Sequence, residues 1–364
     1  MTIGINATAA FKQPRTGVEE YAYQLVKHLT ILKQGKKHCF VLYQDPRVSS
    51  EGFSLADNFE IKQLAWPLPM WTQVRLASEM ALNKPDVLFI PVHVLPLIHP
   101  KNSVVTIHGL EYEYYPKMYH WKHLKYLRWI TKYALKNASK IIAVSEATKR
   151  DLIDLYNGNP EKITVVHHGF NNNLLSKENK KPKNQSPYIL YIGRLETKKN
   201  TQGLIKAFNL LKKRHKVPHK LVLAGPRGYG YEDLKFNKDI IEKGYVSEQE
   251  KLELLNNADM FVLPSFYEGF GMSILEAQAA ECPVITSDVS SMPEVAGQGA
   301  ILVEPRNIEQ ITKNMYKIIS DNNLRKDLIE KGNQNTKRFS WEKCAQETLK
   351  VILGSDSKVR PEIP

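Results

Sequence analysis

Two carboxylates, Glu268 and Glu276, lie in the most informative segment of the sequence, which reads FVLPSFYEGFGMSILE. A strand that ends at Pro264, a turn that contains glycine and a helix that begins near Ser273 are predicted there. Glycines let backbone N–H groups approach a ligand closely, and a helix N-terminus favours anions. A carboxylate in such a site can accept hydrogen bonds from a vicinal diol such as a ribose. For Glu276, predicted on the first turn of the helix, an ordinary helix-capping role is the alternative.

Two cations form a second candidate site in the segment IGRLETKKN. Arg194 follows the first predicted strand of the second half of the chain, and Lys199 comes five residues later, where a helix begins. Arg can bind phosphate oxygens bidentately while Lys acts as a point charge, so the two suit a pyrophosphate at a helix N-terminus. Two solvated surface charges on a loop are the alternative interpretation.

Alternating strands and helices must position these residues. Short apolar runs alternate with longer segments of helical period, which is typical of βαβ units with buried parallel strands. The strands predicted in the first half are Ile3–Ala7, His38–Tyr43, Phe59–Leu64, Asp86–Pro91, Val104–His108, Lys140–Val144 and Ile163–His167. The helices predicted between them are Val18–Leu32, Trp71–Leu82 and Trp121–Lys136. Residues 1–170 are thus predicted to form a Rossmann-like domain.

A second series follows a polar segment at 171–187, which lacks periodicity and is predicted to be a linker. Its strands are predicted at Tyr188–Ile192, Lys220–Ala224, Met260–Pro264, Val284–Ser287 and Ala300–Val303. Its helices are predicted at Thr201–Lys213, Glu248–Asn257, Ser273–Ala280, Ile308–Ser320, Asn323–Arg338 and Trp341–Leu353. We expect a second Rossmann-like domain at 188–340, facing the first across a cleft at the carboxyl ends of the two sheets, where open α/β sheets bind ligands.

The motifs of the second half resemble those of glycosyltransferase family 4, which has the GT-B fold. The matching segments are Gly193-Arg194, Lys199-Asn200, Leu223-Ala-Gly-Pro226, Gly244-Tyr-Val-Ser247, Ala258-Asp259, Glu268-Gly-Phe-Gly271, Glu276 and Pro283-Val-Ile285. The first half is similar at Thr16-Gly-Val-Glu19, Thr106-Ile-His-Gly109 and Val144-Ser-Glu146. Phe339-Ser-Trp341 is similar to the start of the family's last helix. The resemblance implies that this helix, at 341–358, crosses back to the first domain.

The resemblance also implies roles for individual residues. Arg194 and Lys199 would neutralise the diphosphate of a nucleotide sugar, and Glu276 would hold the ribose hydroxyls. Glu268 would orient the donor sugar. The other implied donor contacts are Gly17 after the first strand, Val246 beside the base, and Gly269, Phe270, Gly271, Met272 and Ser273 in the turn. His108 would contact the sugar or the acceptor in the first domain. The alternative for a lone His is a core or loop residue whose hydrogen bonds are satisfied within the fold.

A retaining hexosyltransferase that needs no metal or other cofactor is the activity that the resemblance implies, and no Asp-x-Asp metal motif occurs in the sequence. A glycosidase also uses two carboxylates, but it has no use for an Arg/Lys pair at a helix N-terminus. A nucleotide-sugar 2-epimerase and a non-catalytic nucleotide-sugar-binding protein remain as alternatives. The segments Trp71–Leu76, Asp86–Pro91 and Val105–His108 are similar to bacterial mannosyltransferases of surface-polysaccharide assembly. This similarity implies GDP-mannose as the first donor to test, UDP-sugars next, and a glycan or lipid-linked acceptor.

The length of 364 residues fits two domains, and three scattered cysteines argue against a disulfide framework or a zinc cluster. No export signal and no apolar run long enough to span a membrane is visible, so we expect a cytoplasmic protein. The formal net charge is +13, concentrated in the first half. Charge alone would suit nucleic acid, but no nucleic-acid-binding motif is present, so nucleic acid is not an expected partner.

Positive charge is densest at 117–150, around the predicted helix Trp121–Lys136. At about 100° per residue, one arc of this helix is basic and another is apolar, with aromatic residues on the boundary. The basic residues are Lys122, Lys125, Arg128, Lys132 and Lys136, and the boundary aromatics are Tyr126, Trp129 and Tyr133. This pattern favours peripheral contact with an anionic membrane. A packed helix with a solvated basic stripe is the alternative.

Overall fold

The computed structural model describes residues 1–171 and 186–354. The chain divides into two compact units: Met1–Gly169 with the residues from Ser340 onward, and Phe170–Phe339. The predicted linker at 171–187 lies almost entirely outside the described residues. The same holds for the last four residues of the predicted helix 341–358.

The described part of the first unit contains a seven-stranded sheet. Its strands are β1 (Thr2–Asn6), β2 (Cys39–Gln44), β3 (Phe59–Gln63), β4 (Val87–Ile90), β5 (Ser103–Ile107), β6 (Lys140–Ala143) and β7 (Ile163–Val165). The order is β3-β2-β1-β4-β5-β6-β7, and each neighbouring pair is parallel. Every residue of β4 and β5 is buried, as expected for central strands of a parallel sheet covered on both faces. All the strands predicted in this half are confirmed.

The helices described in the first unit are α1 (Gly17–Ile31), α2 (Ala77–Leu82), α3 (Glu111–Tyr114), α4 (Trp121–Asn137), α5 (Glu146–Tyr156) and, from the end of the chain, α12 (Trp341–Ile352). The helix predicted at Trp71–Leu82 divides into a π-helical turn at Thr72–Leu76 and α2. Helix α5 was not predicted, although the sequence carries its start signal: the Ser145 hydroxyl accepts a hydrogen bond from the Thr148 N–H at 3.1 Å.

The C-terminal helix α12 belongs to the first unit, where it packs against α1. Its first residue, Trp341, is buried. Gly169 makes this approach possible, because a Cβ on Gly169 would lie 2.2 Å from the Trp341 backbone nitrogen. The predicted return of the last helix to the first domain is confirmed.

The described part of the second unit contains a six-stranded parallel sheet. Its strands are β8 (Tyr188–Ile192), β9 (Lys220–Ala224), β10 (Ile240–Gly244), β11 (Met260–Leu263), β12 (Val284–Ser287) and β13 (Ala300–Val303), in the order β10-β9-β8-β11-β12-β13. β10 was not predicted. It is an edge strand in which only Ile240 is buried, and its sequence, IIEKG, is too short an apolar run to predict a strand.

The helices described in the second unit are α6 (Thr201–His215), α7 (Glu248–Asn257), α8 (Met272–Ala279), α9 (Met292–Ala296), α10 (Ile308–Ser320) and α11 (Asn322–Thr336). The strands that follow β8 along the chain are added on one side of it (β9, β10), and those from β11 onward are added on the other side, so the strand order switches between β8 and β11. Ligands bind at such a switch point, at the carboxyl ends of the strands. The loops that follow β8 and β11 carry the two predicted motifs, so the fold brings these motifs to one edge of the sheet.

Candidate active site

An ion pair joins the two predicted motifs of the second unit. Lys199 ends a short 3-10 turn after β8, and Glu268 lies in the loop between β11 and α8. The Lys199 Nζ donates to both carboxylate oxygens of Glu268, at 2.5 Å each. The two side chains are only 19% and 10% exposed. The pair therefore lies at the switch point of the sheet, largely shielded from water.

The Glu268 carboxylate has a second, neutral partner. Ser265 is fully buried and donates its hydroxyl to Glu268 Oε1 at 2.7 Å. A carboxylate withdrawn from water needs such partners, because an unpaired buried charge is costly. We did not predict Ser265 as a site residue. Its position three residues before Glu268, in the same loop, is the signal that could have identified it.

Arg194 lies in the same loop as Lys199 but remains half-exposed. The Tyr191 hydroxyl donates to the Arg194 carbonyl oxygen at 2.8 Å, which holds the backbone of the loop. The guanidinium makes a long contact, 4.0 Å from its Nε to Glu196 Oε2, and the side chain is 49% exposed. An exposed guanidinium in this position can present several N–H donors to a phosphate.

The turn after Glu268 ends at the N-terminus of α8. Gly271 is the N-cap residue with φ of +97°, a left-handed conformation that favours glycine, and no side chain caps this helix end. The first N–H groups of a helix have no intrahelical acceptor, so they suit an anion or a sugar oxygen. Phe270 is buried against Phe339, and the other predicted residues of the turn are half-buried: Gly269, Met272 and Ser273.

Glu276 is the fifth residue of α8, not a first-turn residue as predicted, because the helix begins at Met272. A helix-capping role is therefore excluded for it. Its Oε1 accepts a hydrogen bond from the Nζ of Lys251, on α7, at 2.7 Å. Burial opposes the charge of Lys251, but the carboxylates of Glu276 and Glu248 outweigh it and raise the pKa of the ammonium. Lys251 was not predicted, since only the tertiary fold brings α7 and α8 together.

Val246 lies in the loop between β10 and α7 and is half-buried. Gly244 ends the strand with φ of +67°, and Ser247 starts the helix with a capping box to Glu250. This short, defined loop leads directly into the helix that carries Lys251. Val246 therefore immediately precedes Ser247, the N-cap residue of α7.

His108 follows β5 at the carboxyl edge of the first unit's sheet. Its Nε2 is 2.7 Å from the Pro91 carbonyl oxygen, which can only accept, so Nε2 carries the hydrogen. Burial lowers the pKa of His108 to about 4, despite the opposing effect of this hydrogen bond. The imidazole is therefore neutral at pH 7, with the lone pair on Nδ1.

Aromatic rings surround His108. Tyr21 of α1 meets His108 edge-on at 4.7 Å and stacks on His168 at 4.5 Å, and His168 stacks on Trp341 at 5.9 Å. Burial lowers the pKa of His168 well below its ordinary value. Gly17, which the sequence places one residue before the predicted helix Val18–Leu32, in the loop after the first strand, is instead the first residue of α1, after the N-cap Thr16. Its N–H is therefore one of the unpaired groups of a helix N-terminus.

Residues 1–171 and 186–354 contain neither a candidate metal cluster nor a candidate membrane-spanning helix. No group of three or more His, Cys, Asp or Glu side chains there could hold a metal ion. No helix in these ranges is long and apolar enough to cross a bilayer.

Comparisons with known proteins cover both units. The model of the family described as Glycosyltransferase Family 4 matches residues 15–174, and that of Glycosyl transferases group 1 matches residues 173–335. O-antigen chain mannosyltransferase B of Escherichia coli is 27% identical, over 95% of this chain and 98% of that protein. The capsular polysaccharide biosynthesis glycosyltransferase CapM of Staphylococcus aureus is 30% identical, over 70% of this chain and 72% of that protein.

Solved structures show the same fold at lower identity. Sucrose-phosphate synthase from Thermosynechococcus elongatus superposes with a TM-score of 0.74 at 16% identity, over 97% of this chain and 98% of that one. This likeness and the two parallel sheets confirm the predicted α/β fold of the GT-B class. With both halves matched by family models, the chain belongs to glycosyltransferase family 4 and is a hexosyltransferase.

Proposed function

We propose that this hexosyltransferase moves a mannosyl unit from GDP-mannose to a hydroxyl of a glycan or lipid-linked saccharide during cell-surface polysaccharide synthesis. The names of its relatives support this substrate class: O-antigen chain mannosyltransferase B and RfbU are both similar to this chain. UDP-sugars are the next donors to test. The reaction proceeds with retention at the anomeric carbon and without a metal ion.

The observation that carries the donor proposal is the charge arrangement at the switch point of the second sheet. Lys199 is held on Glu268 while Arg194, in the same loop, keeps an exposed guanidinium. A nucleoside diphosphate leaving group gains negative charge as its bond to the sugar breaks. One held and one exposed cation in the same loop can stabilise that charge without a metal.

The remaining residues orient the donor. The Glu276 carboxylate uses one oxygen for Lys251 and has further lone pairs for the two ribose hydroxyls. At the helix end that no side chain caps, the N–H groups of Gly271 and Met272 can donate to a sugar or phosphate oxygen. In the transfer step, the bond between the anomeric carbon and the phosphate oxygen breaks while the acceptor oxygen bonds to the same face. The acceptor's proton passes to the departing phosphate.

Donor turnover tests this function. The purified protein is incubated with GDP-, UDP- and ADP-sugars in EDTA, with and without saccharide acceptors, and nucleoside diphosphate release is measured. We expect the fastest release from GDP-mannose and the same rate in EDTA as in Mg²⁺. Arg194→Ala should lose donor affinity, whereas Arg214→Ala, an exposed arginine paired with Glu309, should not. Loss of activity in EDTA that Mg²⁺ restores would contradict metal independence.

The product distinguishes transfer from the alternatives. A 2-epimerase would release free sugar or an epimer without an acceptor product, and a binding protein would release nothing. Release that depends on the acceptor, with an α-linked product from the α-linked donor, supports a retaining transferase. An inverted product would overturn retention while leaving the transferase activity intact.

We further propose that the first unit docks on the anionic cytoplasmic face of a membrane through α4. The predicted amphipathic helix is present: Ile130 and Ala134 are buried, while Trp121 and Trp129 are about half-exposed. The ammonium groups of Lys122 and Lys125 lie 5.4 and 5.0 Å from the Trp121 ring. Arg128 is engaged with Glu113 at 2.8 Å, so it contributes less to the basic arc than predicted. Cations beside exposed indole rings suit a headgroup layer.

Vesicle co-sedimentation tests the docking. Wild type should bind vesicles that contain phosphatidylglycerol and not neutral phosphatidylcholine vesicles, and the binding should weaken with salt. The variant Lys122→Glu/Lys125→Glu should lose this binding. The control Lys213→Glu/Lys216→Glu makes the same charge change at exposed positions of the second unit and should keep it. Equal binding to both vesicle types would contradict docking on an anionic membrane.

A further inference from the structure

Two serines outside the predicted motifs hold the loop of Glu268. Ser290 and Ser291 lie between β12 and α9 in the second unit. The Ser290 hydroxyl donates to the Glu268 carbonyl oxygen at 2.6 Å and accepts from the Glu268 N–H at 3.3 Å. The Ser291 hydroxyl shares its hydrogen between the carbonyl oxygens of Glu268, at 2.9 Å, and Phe270, at 2.8 Å. These contacts form a clamp, here named the serine clamp.

Each serine adopts a locally unfavourable arrangement to make these contacts. Ser290 has φ of +57°, in the left-handed region that is strained for residues other than glycine. Ser291 occupies the N-cap position of α9, where a serine hydroxyl ordinarily accepts from a first-turn N–H. It makes no such bond here and donates to the neighbouring loop instead. Strain and a forgone cap persist where the surrounding structure fixes them, often at functional sites.

The clamp sets the direction of a backbone donor. The C=O and N–H of a trans peptide point to opposite sides. Because the Phe270 carbonyl is directed at Ser291, the Gly271 N–H on the same peptide is directed away from the clamp. Gly271 is the N-cap residue of α8, at the uncapped end to which the proposed function assigns a donor oxygen.

We propose that Ser290 and Ser291 are positioning residues for sugar transfer. They hold the Glu268–Gly271 loop so that the Glu268 carboxylate and the Gly271 N–H keep the orientation that the transition state requires. The reaction itself rests on the proposed function, whereas the clamp rests on the four contacts above. The serines act through the backbone of the loop and leave the binding of the nucleotide to other residues.

Two variants separate the hydroxyl from the backbone conformation. Ser290→Gly removes the hydroxyl but retains a residue suited to φ of +57°. Ser291→Ala removes the bifurcated donor. Lys216→Gly is the matched control, because Lys216 has φ of +48° at an exposed position after α6. Amide hydrogen exchange of residues 265–272, donor KM, kcat and the midpoint of thermal unfolding are measured for each.

We expect amide exchange at 265–272 to rise severalfold in Ser290→Gly and Ser291→Ala and to stay unchanged in Lys216→Gly. The kcat of the two serine variants should fall about 10- to 100-fold, since small displacements of a catalytic loop have effects of this size. Donor KM should change less than about threefold, because an interaction used in the transition state lowers kcat without raising KM. If the serines had a purely structural role, the variants would lower the unfolding midpoint without a selective fall in kcat relative to donor KM.

The outcomes are distinguishable. Unchanged exchange at 265–272 in both serine variants overturns the clamp, whatever the activity of the wild type. Faster exchange with wild-type kcat overturns its role in transfer. A wild type that turns over no nucleotide sugar contradicts the proposed function, and the exchange data still decide on the clamp. If Ser291→Ala does not fold, Ser290→Gly alone decides, since glycine fits its backbone conformation.

Discussion

The carboxyl edges of the two sheets are built from opposite kinds of chemistry. In the second unit, two ion pairs dominate the edge, Lys199 with Glu268 and Lys251 with Glu276. In the first unit, the edge holds neutral imidazoles among aromatic rings, with His108 and His168 both at lowered pKa. In both sheets, which are parallel, these residues follow the carboxyl ends of the strands.

The two edges therefore suit different chemical groups of a ligand. Partly buried ion pairs hold charges in fixed positions, so they suit a charged group such as a diphosphate. A neutral imidazole among rings offers a hydrogen-bond acceptor and a flat apolar surface, which suit the hydroxyls and faces of a sugar. Substitutions in the second unit should therefore act through charge, and those in the first unit through protonation and packing.

The largest effect is expected from the Lys199–Glu268 pair. Lys199→Met removes a cation from the proposed diphosphate site and frees the Glu268 carboxylate from its partner. We expect kcat/KM for the donor to fall about 10³-fold, or about 4 kcal/mol, as for other preorganised charges at a reacting centre. Steady-state kinetics with the best donor measures it.

A matched control and a double variant show whether charge is the cause. Lys212→Met breaks a partly buried pair with Asp239 elsewhere in the same unit and should reduce stability without reducing kcat/KM by more than about threefold. Lys199→Met/Glu268→Gln should regain stability relative to Lys199→Met, since no unpaired carboxylate remains, but not activity. Recovered activity in the double variant would show that the pair has a structural role, and it would contradict a role for the Lys199 charge in the reaction.

The next effect concerns pH and the first unit. The pKa of His108 is about 4 in the folded protein, below the ordinary value of 6.5. Between these values the unfolded chain binds the proton and the folded chain does not, so stability falls as pH decreases from about 6.5 to about 4. His108→Gln removes this contribution, which is about 3 kcal/mol over the window.

Urea unfolding at pH 7.5, 6.0, 5.0 and 4.5 measures this difference. Wild type should lose more stability than His108→Gln on acidification, while both lose the part that His93 and His168 contribute. The same neutral state predicts that transfer shows no inflection from His108 between about pH 5.5 and 8. Parallel stability curves for the two proteins would show that His108 titrates normally and is exposed to water.

Sequence alone predicted most of the fold, and it did so best where a strand is a short run rich in apolar or β-branched residues. β8, β9, β12 and β13 were predicted at their observed bounds because each is such a run, even though β13 lies at the sheet edge and is mostly half-buried. β10 was missed because only its first two residues, Ile240 and Ile241, are apolar, which is too short a run to predict a strand. Helix α8 begins at Met272, one residue before the predicted start at Ser273, because the left-handed Gly271 ends the preceding turn. This shift places Glu276 beyond the first turn.

The candidate site divides in the same way. Arg194, Lys199, Glu268 and Glu276 were predicted because each lies in a contiguous motif. Lys251, Ser290 and Ser291 were missed because they contact those motifs from other segments, through tertiary packing that no local pattern records. In the first unit, His168 stacks on both Tyr21 and Trp341, and Trp341 comes from the end of the chain. The apolar surroundings of His108 therefore depend on distant segments and could not be predicted from local sequence.

The smallest effect is expected from Lys251, whose loss would leave the Glu276 carboxylate charged but no longer held in one orientation. Lys251 contributes no group to the proposed diphosphate site, yet its Nζ fixes Glu276 Oε1 at 2.7 Å. Without it, the carboxylate keeps its charge but loses a fixed rotamer. Lys251→Met should therefore raise donor KM and weaken GDP binding about tenfold, about 1.4 kcal/mol, with kcat nearly unchanged.

Lys251→Arg tests orientation directly, because it restores a cation whose hydrogen bonds to Glu276 follow a different geometry. Recovery of at least half of the lost GDP affinity, measured by calorimetry, indicates that the partner charge matters more than its exact reach. Lys213→Met, at an exposed position on α6, should bind GDP like wild type. If Lys251→Met also binds GDP like wild type, Glu276 is ordered by α8 itself, and the second ion pair is a structural feature of the donor unit. The Lys199–Glu268 pair would then be the one charge pair of this edge, among the described residues, that acts on the donor.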